Sequence, residues 1–232
     1  MARLRLEADG TLRLPPEILR SYGVEPGTEG VLEQTEDGWA FHAIRPDLRR
    51  VYVEVTALCN LNCAICIRQV WRDRPGSMPW EVFEELIRQL RAFPELRRIT
   101  FGGFGEPLVH PRIADMVALA RTLGVGITLT TNGLLLDGAV AEALSEAGLD
   151  TVVVSIDTAH LQAYRQAGLV DGLDRVIDNI RGLQALARAH RRLVPRIGLE
   201  FVLTRDSLPE LPQVPRLAQA LGASFVLITH LL

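Results

Sequence analysis

Cys59, Cys63 and Cys66 fall within eight residues in a C-x3-C-x2-C spacing, and they are the only cysteines of the 232-residue chain. Concentrated in one stretch, they leave no thiol elsewhere for a disulfide, which points to a metal. Two chemistries suit three close thiolates. One is a 4Fe–4S cluster with cysteine on three irons and an open position on the fourth. An open iron is reactive, whereas a cluster with four cysteine ligands carries electrons. The other is structural zinc of the Cys3His type. The five histidines, His42, His110, His160, His190 and His230, all lie outside the short spacing to cysteine that a zinc knuckle uses.

The segments around this loop predict what holds it. From Val51 onward, short apolar runs alternate with amphipathic stretches. Val51–Thr56 reads as a strand that ends at the cysteines. Trp80–Phe93 reads as a helix with Val82, Phe83, Leu86, Ile87 and Leu90 on one face. Arg98–Phe101 is a strand, Ile113–Leu123 a helix, Gly126–Thr130 a strand and Leu136–Ala147 a helix closed by Gly148. Thr151–Ile156 is an apolar run suited to a strand buried on both faces. Leu173–Ala189 (helix), Arg196–Thr204 (strand), Val214–Leu221 (helix) and Ser224–Thr229 (strand) complete the pattern. Strands separated by helices pair in parallel through right-handed crossovers. The fold class is therefore α/β, a partial (β/α)6 TIM-like barrel over residues 47–232.

In such folds chemistry gathers at the C-terminal ends of strands. The cysteines follow the first strand, Gly102–Glu106 the second, Asn132 the third, and Asp157 the fourth. His110 reads as a residue at a helix start before Pro111, not as a ligand.

These motifs in this order make the chain resemble the radical S-adenosylmethionine (radical SAM) superfamily. The resemblance covers residues 51–232 and rests on CNLNCAIC, GGFGEPL, TNG and SID. It implies that Cys59, Cys63 and Cys66 ligate a 4Fe–4S cluster and that S-adenosylmethionine (SAM) chelates the fourth iron. It implies cofactor contacts from Ile65, Gly103, Gly105, Glu106, Asn132, Ser155 and Asp157. Glycine lets backbone approach a ligand, and the Glu106 carboxylate suits an ammonium group. Ser155 or Asp157 would meet the ribose. The chemistry implied is reductive cleavage of SAM and hydrogen abstraction from a substrate. Ile65 stands where the family often has an aromatic residue, and Phe104 sits between the loop glycines. Three cysteines suffice for one cluster of this kind, and the sequence ends at Leu232, just past the sixth strand. Many relatives continue into a cysteine-rich domain with auxiliary clusters.

EVTALCNLNCAICIRQVW, TFGGFGEPLVHP and LTTNG look more narrowly like proteins that modify the cofactor of tungsten-containing aldehyde ferredoxin oxidoreductases, with Arg68 and Trp71 adding to the likeness. That implies maturation of a tungsten or molybdopterin-type cofactor or of its host protein, with a ferredoxin or flavodoxin as reductant. Modification of a ribosomally made peptide is the alternative within the superfamily.

Residues 1–46 differ. Arg3–Ala8 and Thr11–Leu14 read as strands about Asp9-Gly10, and Pro15-Pro16 opens a helical stretch to Tyr22. Gly30–Gln34 and Trp39–Ile44 form a second hairpin about Glu36-Asp37-Gly38. The segment resembles AbrB/MazE-like swapped-hairpin domains, which implies docking or a homodimer. It carries five arginines against eight acids, a balance that does not favour nucleic acid. That weighs against the remaining alternative, a metal-sensing DNA-binding regulator.

Composition sets outer bounds. Hydrophobic residues make up 48% of the chain, enough for a large core, and the net charge is −3. All 25 basic residues are arginine, which excludes P-loop, Schiff-base and kinase-type lysine chemistry. No apolar run is long enough to span a membrane, and MARLRLEADG lacks the apolar core of a signal peptide. A cytoplasmic location, where thiols stay reduced for metal, is expected.

Overall fold

The computed structural model describes residues 8–9, 11, 13–22, 28–36, 38–43, 48–63, 65–70, 75–156, 172–190 and 195–230. The chain divides into two compact units, Met1–Asp47 and Leu48–Leu232.

In the first unit, α1 (Pro16–Tyr22) starts at a proline, whose missing N–H costs nothing in a first helical turn. Strands β1 (Gly30–Thr35) and β2 (Gly38–Ala43) pair antiparallel, from Gly30 opposite Ala43 to Thr35 opposite Gly38. Gly38 has φ +145°, which explains a glycine at that turn. The expected first hairpin is not borne out where it can be judged. Thr11, Arg13 and Leu14 form no strand. Instead the Thr11 N–H and hydroxyl both donate to Asp9 Oδ1, at 2.9 and 2.7 Å, a local turn that competes with a ladder. Residues 1–7 lie outside the described residues.

The second unit is built on one sheet. Its strands are β3 (Arg50–Val53), β4 (Arg98–Phe101), β5 (Gly126–Thr131), β6 (Thr151–Ser155), β7 (Arg196–Leu203) and β8 (Phe225–His230). They run parallel in the order β3-β4-β5-β6-β7-β8, an open half-barrel. The connecting helices are α2 (Trp80–Leu90), α3 (Ile113–Arg121), α4 (Gly138–Glu146), α5 (Gly172–His190) and α6 (Val214–Ala220). The expected α/β half-barrel is thus present.

Two boundaries differ from the sequence reading for visible reasons. The first strand stops at Val53 because the chain beyond it leaves β4 and pairs with residues 76–78. Met78 N–H donates to the Val55 carbonyl and Ala57 N–H to the Gly76 carbonyl, each at 2.8 Å. The helix expected from Leu136 starts at Gly138, because Asp137 accepts the Val140 N–H at 3.0 Å as an N-cap.

Strand residues alternate in burden. Ile99, Phe101, Ile127, Leu129, Val152, Val154, Ile197 and Leu199 are buried in the apolar core. Phe83 of α2 meets Phe101 at 5.8 Å between ring centroids. The alternate positions carry polar groups, among them Thr130, Ser155 and Glu200. Asp150 closes the opposite rim, accepting from Ile127 N–H at 2.7 Å and Arg121 at 2.9 Å. Among the described residues, no helix is long and apolar enough to cross a membrane.

Phe101 is fully buried, at 0% exposure, whereas Val82 is 52% exposed. Phe101→Ala is expected to cost about 3–5 kcal/mol. Val82→Ala should stay within about 0.5 kcal/mol. Urea unfolding of both variants checks this.

Candidate active site

The cysteine loop leaves the half-barrel beyond β3 and is held by its own polar side chains. Cys66 N–H donates to the Cys63 carbonyl, and Gln69 N–H to the Cys66 carbonyl, each at 3.0 Å, where a short 3-10 turn begins. Gln69 Nε2 reaches Asn62 Oδ1 at 2.7 Å and the Cys63 carbonyl at 3.2 Å. Arg68 donates to the Leu61 carbonyl at 3.1 Å. With the loop carbonyls occupied by these donors, the three half-buried cysteines stand at the loop's surface, none of them in a disulfide. Burial pushes the Cys59 thiol above its ordinary range. The Leu61 N–H, which donates to its sulfur at 3.4 Å, pulls the other way, and the charge of Glu106 adds to the rise. Ala64 and Trp71 lie outside the described residues.

The glycine loop after β4 packs against this segment without room for side chains. A Cβ on Gly105 would strike the Thr56 and Leu58 carbonyls, which are backbone and cannot swing aside. Gly103 has φ +133°, and a Cβ there would come within 2.6 Å of the Glu54 carboxylate. Glu106 N–H donates to the Leu58 carbonyl at 2.8 Å, tying the two loops together.

Glu106 itself is only 2% exposed. Its Oε1 accepts from Thr131 Oγ1 at 2.7 Å and Leu108 N–H at 3.0 Å, and its Oε2 from Asn132 N–H at 2.8 Å. A buried carboxylate is costly unless so compensated. Asn132 carries the connection onward: its Nδ2 donates to Asn60 Oδ1 at 2.8 Å and lies 4.0 Å from Cys59 Sγ. Its Oδ1 accepts the Leu134 N–H at 3.1 Å, and Gly133 follows with φ +78°. Asn132 therefore both makes a turn and braces the cysteine loop. His110 is buried, accepts the Arg112 N–H at Nδ1 (3.1 Å) and meets the Met78 carbonyl through Nε2 at 3.2 Å, as suits a structural residue.

One cavity of about 440 Å³ collects these groups. Cys59, Cys63, Ile65, Cys66, Gly103, Gly105, Glu106, Asn132 and Ser155 all line it. Of the residues expected from sequence, Asp157 alone lies outside the described residues. The cavity also exposes groups that the sequence reading passed over, notably Tyr52, Thr130 and Glu200. Glu200 Oε2 accepts from Ser155 Oγ at 3.2 Å. Much of the Tyr52 ring is exposed, yet burial at its hydroxyl, then the charge of Glu200, pushes its ionisation upward. A signal for these residues existed. In Val51-Tyr52-Val53-Glu54-Val55 the polar positions alternate with valine, and Glu200 interrupts an apolar strand.

The site suits the cofactors that the sequence suggests. The cavity falls in the size range of small-molecule sites, about 300–1,000 Å³. All three thiols line this one cavity, and three thiolates are a donor set that a 4Fe–4S cluster with one open iron can take.

Comparison with known proteins agrees. Residues 53–194 match the family model of the radical SAM superfamily. The chain is 33% identical over 195 residues to the tungsten-containing aldehyde ferredoxin oxidoreductase cofactor-modifying protein of Pyrococcus furiosus, across 80% of this chain and 52% of that protein. It is 32% identical over 185 residues to the PqqA peptide cyclase of Gluconobacter oxydans, across 76% and 48%. The chain thus spans about half the length of these curated relatives. Among solved structures, Streptococcus suis SuiB bound to its precursor peptide SuiA superposes with a TM-score of 0.63 at 18% identity, over 79% of this chain and 40% of SuiB, a likeness of fold. Motif order, strand topology and the family match lead to one conclusion: the chain belongs to the radical SAM superfamily.

Proposed function

We propose that the chain is the catalytic core of a radical SAM enzyme, with Cys59, Cys63 and Cys66 holding a 4Fe–4S cluster and SAM bound beside it. The observation that carries this reading is that all three cysteines share one cavity with the glycine loop and Ser155. Bound there, the cluster and SAM supply reductive cleavage of SAM and hydrogen abstraction from a substrate. The chain's own residues bind and orient. Gly103 and Gly105 let the loop seat against Glu54 and the Thr56 and Leu58 carbonyls at the cavity's edge, and Ile65 contributes an apolar wall. Ser155 and Glu200, hydrogen-bonded to each other, offer a donor and an acceptor for ribose hydroxyls. Glu106 and Asn132 act on the cofactors through the loops they brace.

The relatives support two substrate classes. Identity to the cofactor-modifying protein, together with the motif runs around the cysteines, supports maturation of a tungsten or molybdopterin-type cofactor or of its host oxidoreductase. Identity to a peptide cyclase favours a second reading, modification of a peptide. A ferredoxin or flavodoxin would supply the electron. Residues 1–46, with their AbrB/MazE-like pattern, would dock a partner or form a homodimer.

Anaerobic reconstitution with iron and sulfide, followed by SAM and a strong reductant, is expected to release 5′-deoxyadenosine, and Cys66→Ala to abolish it. Full iron content in Cys66→Ala, or zinc uptake in place of a cluster, overturns the reading. Independently of any cofactor, Glu106→Ala strands two backbone amides and a hydroxyl. It should lower the stability of the apoprotein by about 3 kcal/mol in urea titration. Glu106→Gln should lose about half of that, since it keeps one acceptor oxygen.

A further inference from the structure

Both Glu106 oxygens already accept from neighbours, and a cation in the cavity would meet further acceptors from another source. The glycine loop provides one. Phe104 N–H and Gly105 N–H both donate to Glu54 Oε1, at 2.7 and 3.1 Å. Two consecutive N–H groups therefore turn to the same carboxylate oxygen, that of Glu54, the residue that follows β3. Successive N–H groups facing one way form an anion-binding concavity. Here the chain fills it with its own carboxylate.

The peptide units are trans, so each carbonyl points opposite to the N–H of the same unit. Fixing the Phe104 and Gly105 amides on Glu54 thus turns the Gly103 and Phe104 carbonyl oxygens away from it. The Phe104 oxygen lies 4.0 Å from Cys66 Sγ, a residue of the cavity wall. Glu54 stands behind the loop, whereas Gly103, Phe104 and Gly105 line the cavity. The glycines are needed for this seat, because a Cβ on Gly103 would collide with the Glu54 side chain.

We infer that Glu54 is a positioning residue: by anchoring the Phe104 and Gly105 amides, it presents the Gly103 and Phe104 carbonyl oxygens as an acceptor edge for the cationic amino group of SAM. This rests on the reading above that the cavity takes SAM. The function required of residue 54 is that of an acceptor at a fixed height, and negative charge is secondary. Glutamine meets that requirement with its amide oxygen. Aspartate keeps the charge but withdraws the acceptor by one methylene. Alanine removes both.

The test is SAM affinity on the reconstituted, reduced protein, read as the SAM-dependent change in the cluster's electron paramagnetic resonance spectrum, with iron content measured in parallel. Iron content is expected to match wild type in all three variants, because no cysteine is altered. Glu54→Ala and Glu54→Asp should each weaken SAM binding by at least about tenfold, and Glu54→Gln should stay within about threefold of wild type. Wild-type affinity in Glu54→Ala, or a Glu54→Asp variant that binds better than Glu54→Gln, overturns the inference. If Glu54→Ala does not fold, the Asp and Gln variants decide it by their order. A wild-type protein that takes up a cluster but shows no spectral response to SAM overturns the parent reading, and this inference with it.

Discussion

A buried carboxylate governs the geometry of the site. Glu106 is removed from water, and an unpaired carboxylate in that position would be driven to neutralise or to reopen the fold. Three donors compensate it from two pieces of chain: Thr131 and Asn132 at the end of β5 and just beyond it, and Leu108 in the turn that follows the glycine loop. The same residue's N–H holds the Leu58 carbonyl one position before the first cysteine. Asn132 returns the link to Asn60. The result is a closed triangle of three loops: neutral hydrogen bonds tie the cysteine loop to its two neighbours, and the remaining side, from the Glu106 carboxylate to Thr131 and Asn132, is charge-assisted. Such bonds are about twice as strong as neutral ones.

The half-barrel supplies the frame for that triangle by separating its two faces. Outward positions of the strands are aliphatic or aromatic and fuse with the helices into one core. Inward positions at the cavity include the polar Tyr52, Thr130, Ser155 and Glu200 beside the aliphatic Val202, where a packed barrel would bear mostly branched aliphatics. Core packing and site chemistry therefore draw on alternate residues of the same strands. A substitution on one face need not disturb the other.

The sequence revealed what is local and concealed what is tertiary. Apolar periodicity located the strands and helices of the second unit to within a few residues. One missed boundary traces to a partner distant in sequence, residues 76–78 taking the chain away from β4 after Val53, and another to a local cap, Asp137 starting its helix at Gly138. Cysteine spacing and the glycine loop were legible because each is a contiguous motif. Tyr52, Glu54 and Glu200 left only an alternation of polar with apolar positions, and which side of the strand turns inward is recognisable only once the sheet's curvature is known. Glu106 was legible as a site residue, but the donors that fix its oxygens come from 25 and 26 residues away and from a turn that sequence did not specify. Asn132 was ambiguous between turn and site, and its amide does both.

Strand order equals chain order throughout the half-barrel. The three cysteines, Glu54, the glycine loop, Glu106 and Asn132 therefore all come from one uninterrupted stretch, between β3 and the end of β5. The opposite side of the cavity, with Ser155, Glu200 and Val202, comes from β6 and β7. The two sides touch through the parallel pairing of β5 with β6, a contact of backbone that is indifferent to side-chain identity. The chain is thus ordered along its length: the cysteines and the loops that brace them come first, and the strands that complete the far side of the cavity come after. A fold wired in this way can diverge in specificity by rewriting its later half alone.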